Sequence, residues 1–111
     1  MLRIEDGAIY LTRGDTAYIS VALADINGEK YLPTEGDKIY FSVKKDVNDE
    51  DYSFQLVTAC SEDTVFNIIP ENTRELEYGK YFYDIQIVTA DGEVYTIVEK
   101  SNFYLREEVT V

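Results

Sequence analysis

Apolar and polar residues alternate with a period of two along most of the chain, most clearly near its end. Tyr81, Tyr83, Ile85 and Ile87 alternate with Phe82, Asp84 and Gln86. An Asp91-Gly92 turn comes next, after which Val94, Thr96 and Val98 alternate with Tyr95 and Ile97. Successive side chains on a strand point to opposite faces, so the pattern predicts antiparallel strands and not helices. The same alternation predicts strands over Ala8–Thr12, Thr16–Ala24, Lys38–Lys44, Ser53–Ala59, Thr64–Ile69 and Asn102–Arg106. Within them Ala17, Ile19, Val21 and Leu23 make one apolar face, Ile39, Phe41 and Val43 another, and Phe103 with Leu105 a third.

Turn signals separate these runs: Arg13-Gly14, Asn27-Gly28, Pro33 with Gly36-Asp37, the acidic stretch Asp46 to Asp51, and Ser61-Glu62-Asp63. Asn-Gly is a strong hairpin signal because both residues accept positive φ. Turns spaced about every 8–12 residues are the rhythm of a sandwich or barrel. Pro70 to Tyr78 is the one segment predicted to be helical, with Pro70 in a first turn, Asn72-Thr73 as capping residues and Gly79 as a stop. The tail Glu107 to Val111 reads as a final edge pairing or a frayed end. The expectation is a single domain over residues 1–111: an all-β, immunoglobulin-like antiparallel sandwich of 7–8 strands with a short helical turn near 70–78.

Composition sharpens this. With 111 residues the chain makes one domain that can bury roughly two thirds of its unfolded surface. Ten tyrosines and five phenylalanines without a tryptophan suit pleated surfaces. One cysteine, Cys60, excludes an internal disulfide. No apolar leader with a cleavage site is visible at the N-terminus, and no window reaches the ~20 apolar residues of a membrane span. The expectation is folding in the cytoplasm, with release inside a larger particle still open to it. A net charge of −12 repels phosphate, which argues against nucleic acid and anionic membranes as partners. The charge serves solubility, or gives an acidic face for a basic partner; a DNA mimic is disfavoured because the acids are scattered.

Chemistry is sparse. Without histidine, serine and cysteine triads and most zinc sites are excluded. No glycine-rich phosphate loop is present, and chance carboxylate pairs carry no weight among 22 acids. The expectation is therefore no enzyme, no cofactor and no metal. Arg13-Gly14-Asp15 spells an adhesion tripeptide, but it also reads as an ordinary turn between two strands. Asp46 to Asp51 resembles a calcium loop, yet the EF-hand pattern needs Gly sixth and Glu twelfth, where this chain has Asp51 and Val57. A cross-link through Lys44-Lys45 has no support beyond adjacency to acids.

Two groups of residues stand out. Leu76-x-x-Gly79-x-Tyr81 resembles the corner before the penultimate strand of immunoglobulin-like sandwiches, where a tyrosine hydroxyl bonds back to the backbone upstream; Tyr81 is the candidate, with Gly79 and Leu76 shaping the corner. Antibody domains place a cysteine two residues later and a tryptophan on an earlier strand; here the position holds Tyr83 and there is no tryptophan. The second group is Tyr18, Tyr40, Phe82, Tyr95 and Tyr104, which fall opposite the apolar stripes. Outward aromatics suit an interface or cross-strand pairing on an exposed sheet.

Several blocks taken together resemble a known family. They are Arg13-Gly14-Asp15-Thr16, Asp25-x-x-Gly28, the run from Tyr31-x-Pro33 through Phe41-Ser42-Val43-Lys44-Lys45, Ile69-Pro70-x-x-Thr73-x-x-Leu76-x-Tyr78-Gly79-x-Tyr81-x-Tyr83-Asp84-Ile85-Gln86, and Asp91-Gly92-x-Val94-x-Thr96-Ile97 with Phe103-x-Leu105. They resemble small immunoglobulin-like structural proteins of phages and prophages of Gram-positive bacteria, and the N-terminal domain of phage baseplate upper proteins. Baseplate upper proteins carry further helical and receptor-side regions that this chain lacks. The resemblance implies a virion component of baseplate, tail or head fibre that docks on other virion proteins or on itself, with no catalytic residues to carry over. The alternatives are a carbohydrate- or receptor-binding module, whose exposed aromatics would cluster in a groove, and a bacterial surface or regulatory module.

Overall fold

The computed structural model describes residues 3–5, 7–23, 28–29, 31, 33–60 and 64–109. Its elements are β1 (Arg3–Glu5), β2 (Ala8–Thr12), β3 (Ala17–Val21), β4 (Lys38–Lys44), β5 (Phe54–Ala59), β6 (Thr64–Ile68), the helical turn α1 (Pro70–Thr73), β7 (Gly79–Val88) and β8 (Val94–Arg106). A six-stranded sheet has the order β1-β2-β8-β7-β4-β5, and β3 pairs with β6 in a second sheet. Neighbours are antiparallel except β2 and β8, which run parallel with Ile9 beside Phe103 and Leu11 beside Leu105. The architecture is all-β and sandwich-like, as the alternation predicts.

The two-residue period decides what is buried. From the large sheet Ile9, Leu11, Ile39, Phe41, Val43, Ile85 and Phe103 point inward, and Ala17, Ile19, Phe66 and Ile68 face them from the small sheet. Phe41 is at the centre, its ring 5.6 Å from Phe66, 5.2 Å from Tyr83 and 6.2 Å from Phe54. Burying each such side chain is worth about 1.5–3 kcal/mol, so this layer supplies the main driving force.

Four local expectations change. The closing segment is one strand of 13 residues, β8, and not two. Its register against β7 slips between Tyr83 and Ile85 and again between Ile85 and Gln86, which places two extra residues on the β8 side. Each slip flips the face of the residues beyond it. The two slips together restore the phase, so Thr96 lies opposite Gln86 and Tyr95 opposite the buried Ile87, in step with Phe103 and Leu105 and the reverse of the face read for Tyr95 from the sequence. The helix is a single turn that ends at Thr73, where the Leu76 amide bonds to the Thr73 carbonyl and the buried Thr73 Oγ1 accepts the Gly14 amide at 2.8 Å. Gly79 accordingly opens β7 at φ +137° and does not end a helix; a Cβ there would meet Lys45 Nζ at 3.0 Å. β3 is shorter than the predicted strand, ending at Val21. β1 is an addition to the predicted strands; it forms a hairpin with β2 that adds an edge to the large sheet.

The Asp91-Gly92 turn closes as predicted, with the Gly92 amide bonded to the Thr89 carbonyl and the Thr89 amide to that of Glu93. The turn predicted at Asn27-Gly28 and the one at 61–63 involve positions outside the described residues, apart from Gly28, which has φ +80°.

Candidate functional site

The predicted corner is built from the chain upward. The Leu76 amide bonds to the Thr73 carbonyl, turning the backbone out of α1. Leu76 packs on the core, and Tyr81, buried at the start of β7, donates its hydroxyl to the Glu77 carbonyl at 2.8 Å. Burial pushes the Tyr81 hydroxyl above the ordinary tyrosine range. Arg13 completes the corner from across the molecule, a role invisible in the sequence because its partners are 63 to 95 residues away. Its guanidinium donates to the Glu108 carboxylate at 2.7 Å, the Leu76 carbonyl at 3.2 Å and the Tyr78 hydroxyl at 2.8 Å. Glu108 thus holds the tail as an ion-pair partner and not as an added strand.

At the opposite end Asp37 does similar work. It is buried, and its carboxylate accepts from the Tyr31 hydroxyl at 2.7 Å and the amides of Thr34 and Ala90 at 2.9 and 3.0 Å. These donors hold Asp37 below the usual carboxylate range, and the Tyr31 hydroxyl is pushed up to about 12.

The five candidate interface aromatics separate. Tyr40, Phe82 and Tyr104 share the outer face of the six-stranded sheet. Tyr18 is 67% exposed on the other sheet, beside Asn67. Tyr95 is 54% exposed near the β7–β8 turn and bonds to Glu93. Only the first three can meet one partner surface together.

That outer face is grooved. A hollow of about 510 Å³ runs over Tyr40, Ser42, Gln55, Phe82 and Asp84, with Lys44, Tyr52 and Lys100 at its sides. Gln55 donates to Ser42 at 2.9 Å across its floor. Partial burial raises the Asp84 carboxyl, opposed by the charge of Lys44. A second hollow of about 680 Å³ lies beyond Lys80, where the Tyr10 and Tyr104 rings stack at 4.9 Å.

The charge on this face is not visible in the sequence. Lys38, Lys44, Lys80, Lys100 and Arg106 stand on it, half of the ten basic residues of the chain, whereas Asp84 and Glu107 are the acids that line its two hollows. Aromatic rings hold most of these cations. Lys80 and Lys100 lie 5.0 and 5.2 Å from the Phe82 ring centre, Lys44 5.1 Å from that of Tyr52, and Arg106 5.7 Å from that of Tyr10. Such contacts attract the cation to the ring face without neutralising it.

Among the described residues no group of three or more His, Cys, Asp or Glu could hold a metal ion, and no helix is long and apolar enough to cross a membrane. In the acidic loop the Asp46 and Asp49 carboxylates accept the amides of Asn48 and Asp46, so part of their acceptor capacity closes the loop itself. Burial raises the Cys60 thiol, which lowers its thiolate fraction. No family model, curated protein or solved structure matches the chain.

Proposed function

We propose that this protein is a non-enzymatic structural component of a phage or prophage particle, made in the bacterial cytoplasm, that docks onto other virion proteins through the outer face of its six-stranded sheet. One observation carries the docking: Tyr40, Phe82 and Tyr104 lie together on a grooved sheet face that no other part of the described chain covers. The family resemblance over most of the sequence supports the virion setting. An immunoglobulin-like reading is supported by the sheet order β8-β7-β4-β5 facing β3-β6, and by the Tyr81 hydroxyl bond at the start of the penultimate strand.

The test is co-expression with the products of neighbouring genes, then absolute mass from light scattering. A complex of defined stoichiometry, lost in Tyr40→Ser with Phe82→Ser while the isolated domain keeps its melting midpoint, is expected. A monomer in every combination would refute docking.

A second reading, a saccharide in the groove, is favoured by one feature: Tyr40, Tyr52 and Phe82 surround polar Ser42, Gln55, Asp84 and Gln86. Against it, lysine ammonium groups already sit over the Phe82 and Tyr52 rings that a sugar would stack on. A glycan array separates the two readings.

A further inference from the structure

The surplus of cations on one face needs explaining in a chain that carries 22 acidic and 10 basic residues. With acids in twofold excess, a randomly placed lysine would find a carboxylate nearby. Among the described residues Lys38, Lys80, Lys100 and Arg106 make no ion pair, although Asp84 and Glu107 line the same hollows; the ion pairs there are made by Arg13 with Glu108 and by Arg74 with Glu71, both off this face. Lys44 spends one proton on the Asp49 carbonyl at 2.7 Å.

The cations are also arranged. Phe82 is the hub. Lys44 stands directly across from it on β4, Lys80 two residues before it on β7, and Lys100 diagonally across on β8. Arg106 extends the row towards Tyr10. Neighbouring strands are about 4.8 Å apart and alternate residues about 6.8 Å, so the ring of charges has the scale of a few residues of extended chain. Farther up the sheet Val57 and Gln86 flank Tyr40, and Val88 lies beside Lys38. The acids of Glu71, Glu75 and Glu77 lie off this face, whereas the acidic loop Asp46 to Asp51 borders it at Lys44.

Resting on the docking reading, we propose that the cation-ringed surface around Phe82 is the contact point for a carboxylate-rich segment of a partner protein. The lysines that Phe82 gathers pair with its carboxylates, while Tyr40 takes the apolar side chains between them. Charge complementarity carries the assignment. It is the opposite of what the net charge of −12 suggests, since that charge favours a basic partner. An exposed ion pair is worth about 0.2–1 kcal/mol, so several must act together, and binding weakens as salt screens them.

The probe is poly-L-glutamate, titrated into the isolated protein at low salt and monitored by fluorescence anisotropy, with heparin and oligothymidylate alongside. The expected result is saturable binding of poly-L-glutamate that falls about tenfold or more in Lys80→Gln/Lys100→Gln/Arg106→Gln, disappears at high salt, and is unchanged in Arg74→Gln. Circular dichroism of each variant checks that the fold is retained. No binding of poly-L-glutamate, binding insensitive to the triple substitution, or binding of heparin or oligothymidylate in its place would overturn the proposal. The co-expression complex distinguishes this failure from failure of docking: a complex broken by Tyr40→Ser with Phe82→Ser but indifferent to salt and to the triple substitution keeps the docking face and removes the acidic partner.

Discussion

The two outer faces of the sandwich obey one rule and yet differ. On the small sheet the outward positions of β3 and β6 are Tyr18, Ser20, Val65 and Asn67, a neutral strip with one exposed tyrosine. On the large sheet the outward positions bring tyrosines, a phenylalanine and five cations together over grooved ground. Period-two alternation accounts for exposure on both. Only the second has a feature that solubility does not explain: among the described residues, Lys38, Lys80, Lys100 and Arg106 gather on it without an ion pair in an acidic protein. An exposed aromatic is thus a weak sign of a site, and unneutralised charge beside it is a stronger one.

The largest way to break the comparison is to remove what both faces stand on. Phe41→Ala should cost about 3–5 kcal/mol, because Phe41 is fully buried between the sheets and touches Phe54, Phe66 and Tyr83. Denaturant unfolding should show both sheets lost in one transition; separate transitions would mean that the sheets are energetically independent.

Tyr81→Phe is next. Losing the bond to the Glu77 carbonyl should cost about 1 kcal/mol and loosen the end of β7 that presents Lys80 and Phe82. An unchanged melting midpoint would show that the bond adds nothing to stability.

Acid and base should act on stability through the far end of the molecule. The folded pKa of Asp37 is lowered, so its contribution is fully present above the unfolded value of about 4 and fades as pH falls below it. Tyr31 is raised to about 12, so its contribution is complete below the unfolded value of about 10 and fades as pH climbs from there towards 12. Asp37→Asn should flatten the acid limb of a melting profile; an identical profile would remove Asp37 from the account.

The smallest effect on stability sharpens the comparison most. Tyr18→Ser and Phe82→Ser should each shift stability by about 0.5 kcal/mol or less, since both positions face outward. Only Phe82→Ser should weaken docking. Equal losses in both variants would contradict an assignment to one face.

The sequence made the core legible strand by strand. Ile39, Phe41 and Val43 in β4 and Tyr81, Tyr83, Ile85 and Ile87 in β7 are inward as the alternation requires. Leu76-x-x-Gly79-x-Tyr81 pointed to the corner, since that motif is local. What stayed hidden was non-local. The slips in β8 leave no mark in composition, and the local alternation around Tyr95 does not show that it is in step with the buried Phe103. Thr73 reads as an ordinary helical residue until the Gly14 amide, 59 positions away, is seen to need its oxygen. Arg13 reads as part of a turn, and its clamp depends on Glu108. The basic face is the sharpest case: Lys44, Lys80, Lys100 and Arg106 are scattered in sequence and converge only once β8, β7 and β4 are placed side by side.

The central claim is that one face of this acidic sandwich is built to meet carboxylates. Nitrogen-15 NMR of the labelled protein, titrated with poly-L-glutamate at low salt, tests it residue by residue. The account predicts amide shifts concentrated at Tyr40 to Lys44, Lys80 to Gln86 and Lys100 to Arg106, with Ala17 to Val21 and Thr64 to Ile68 silent. Shifts that are absent, or that centre on the β3–β6 sheet, would contradict it.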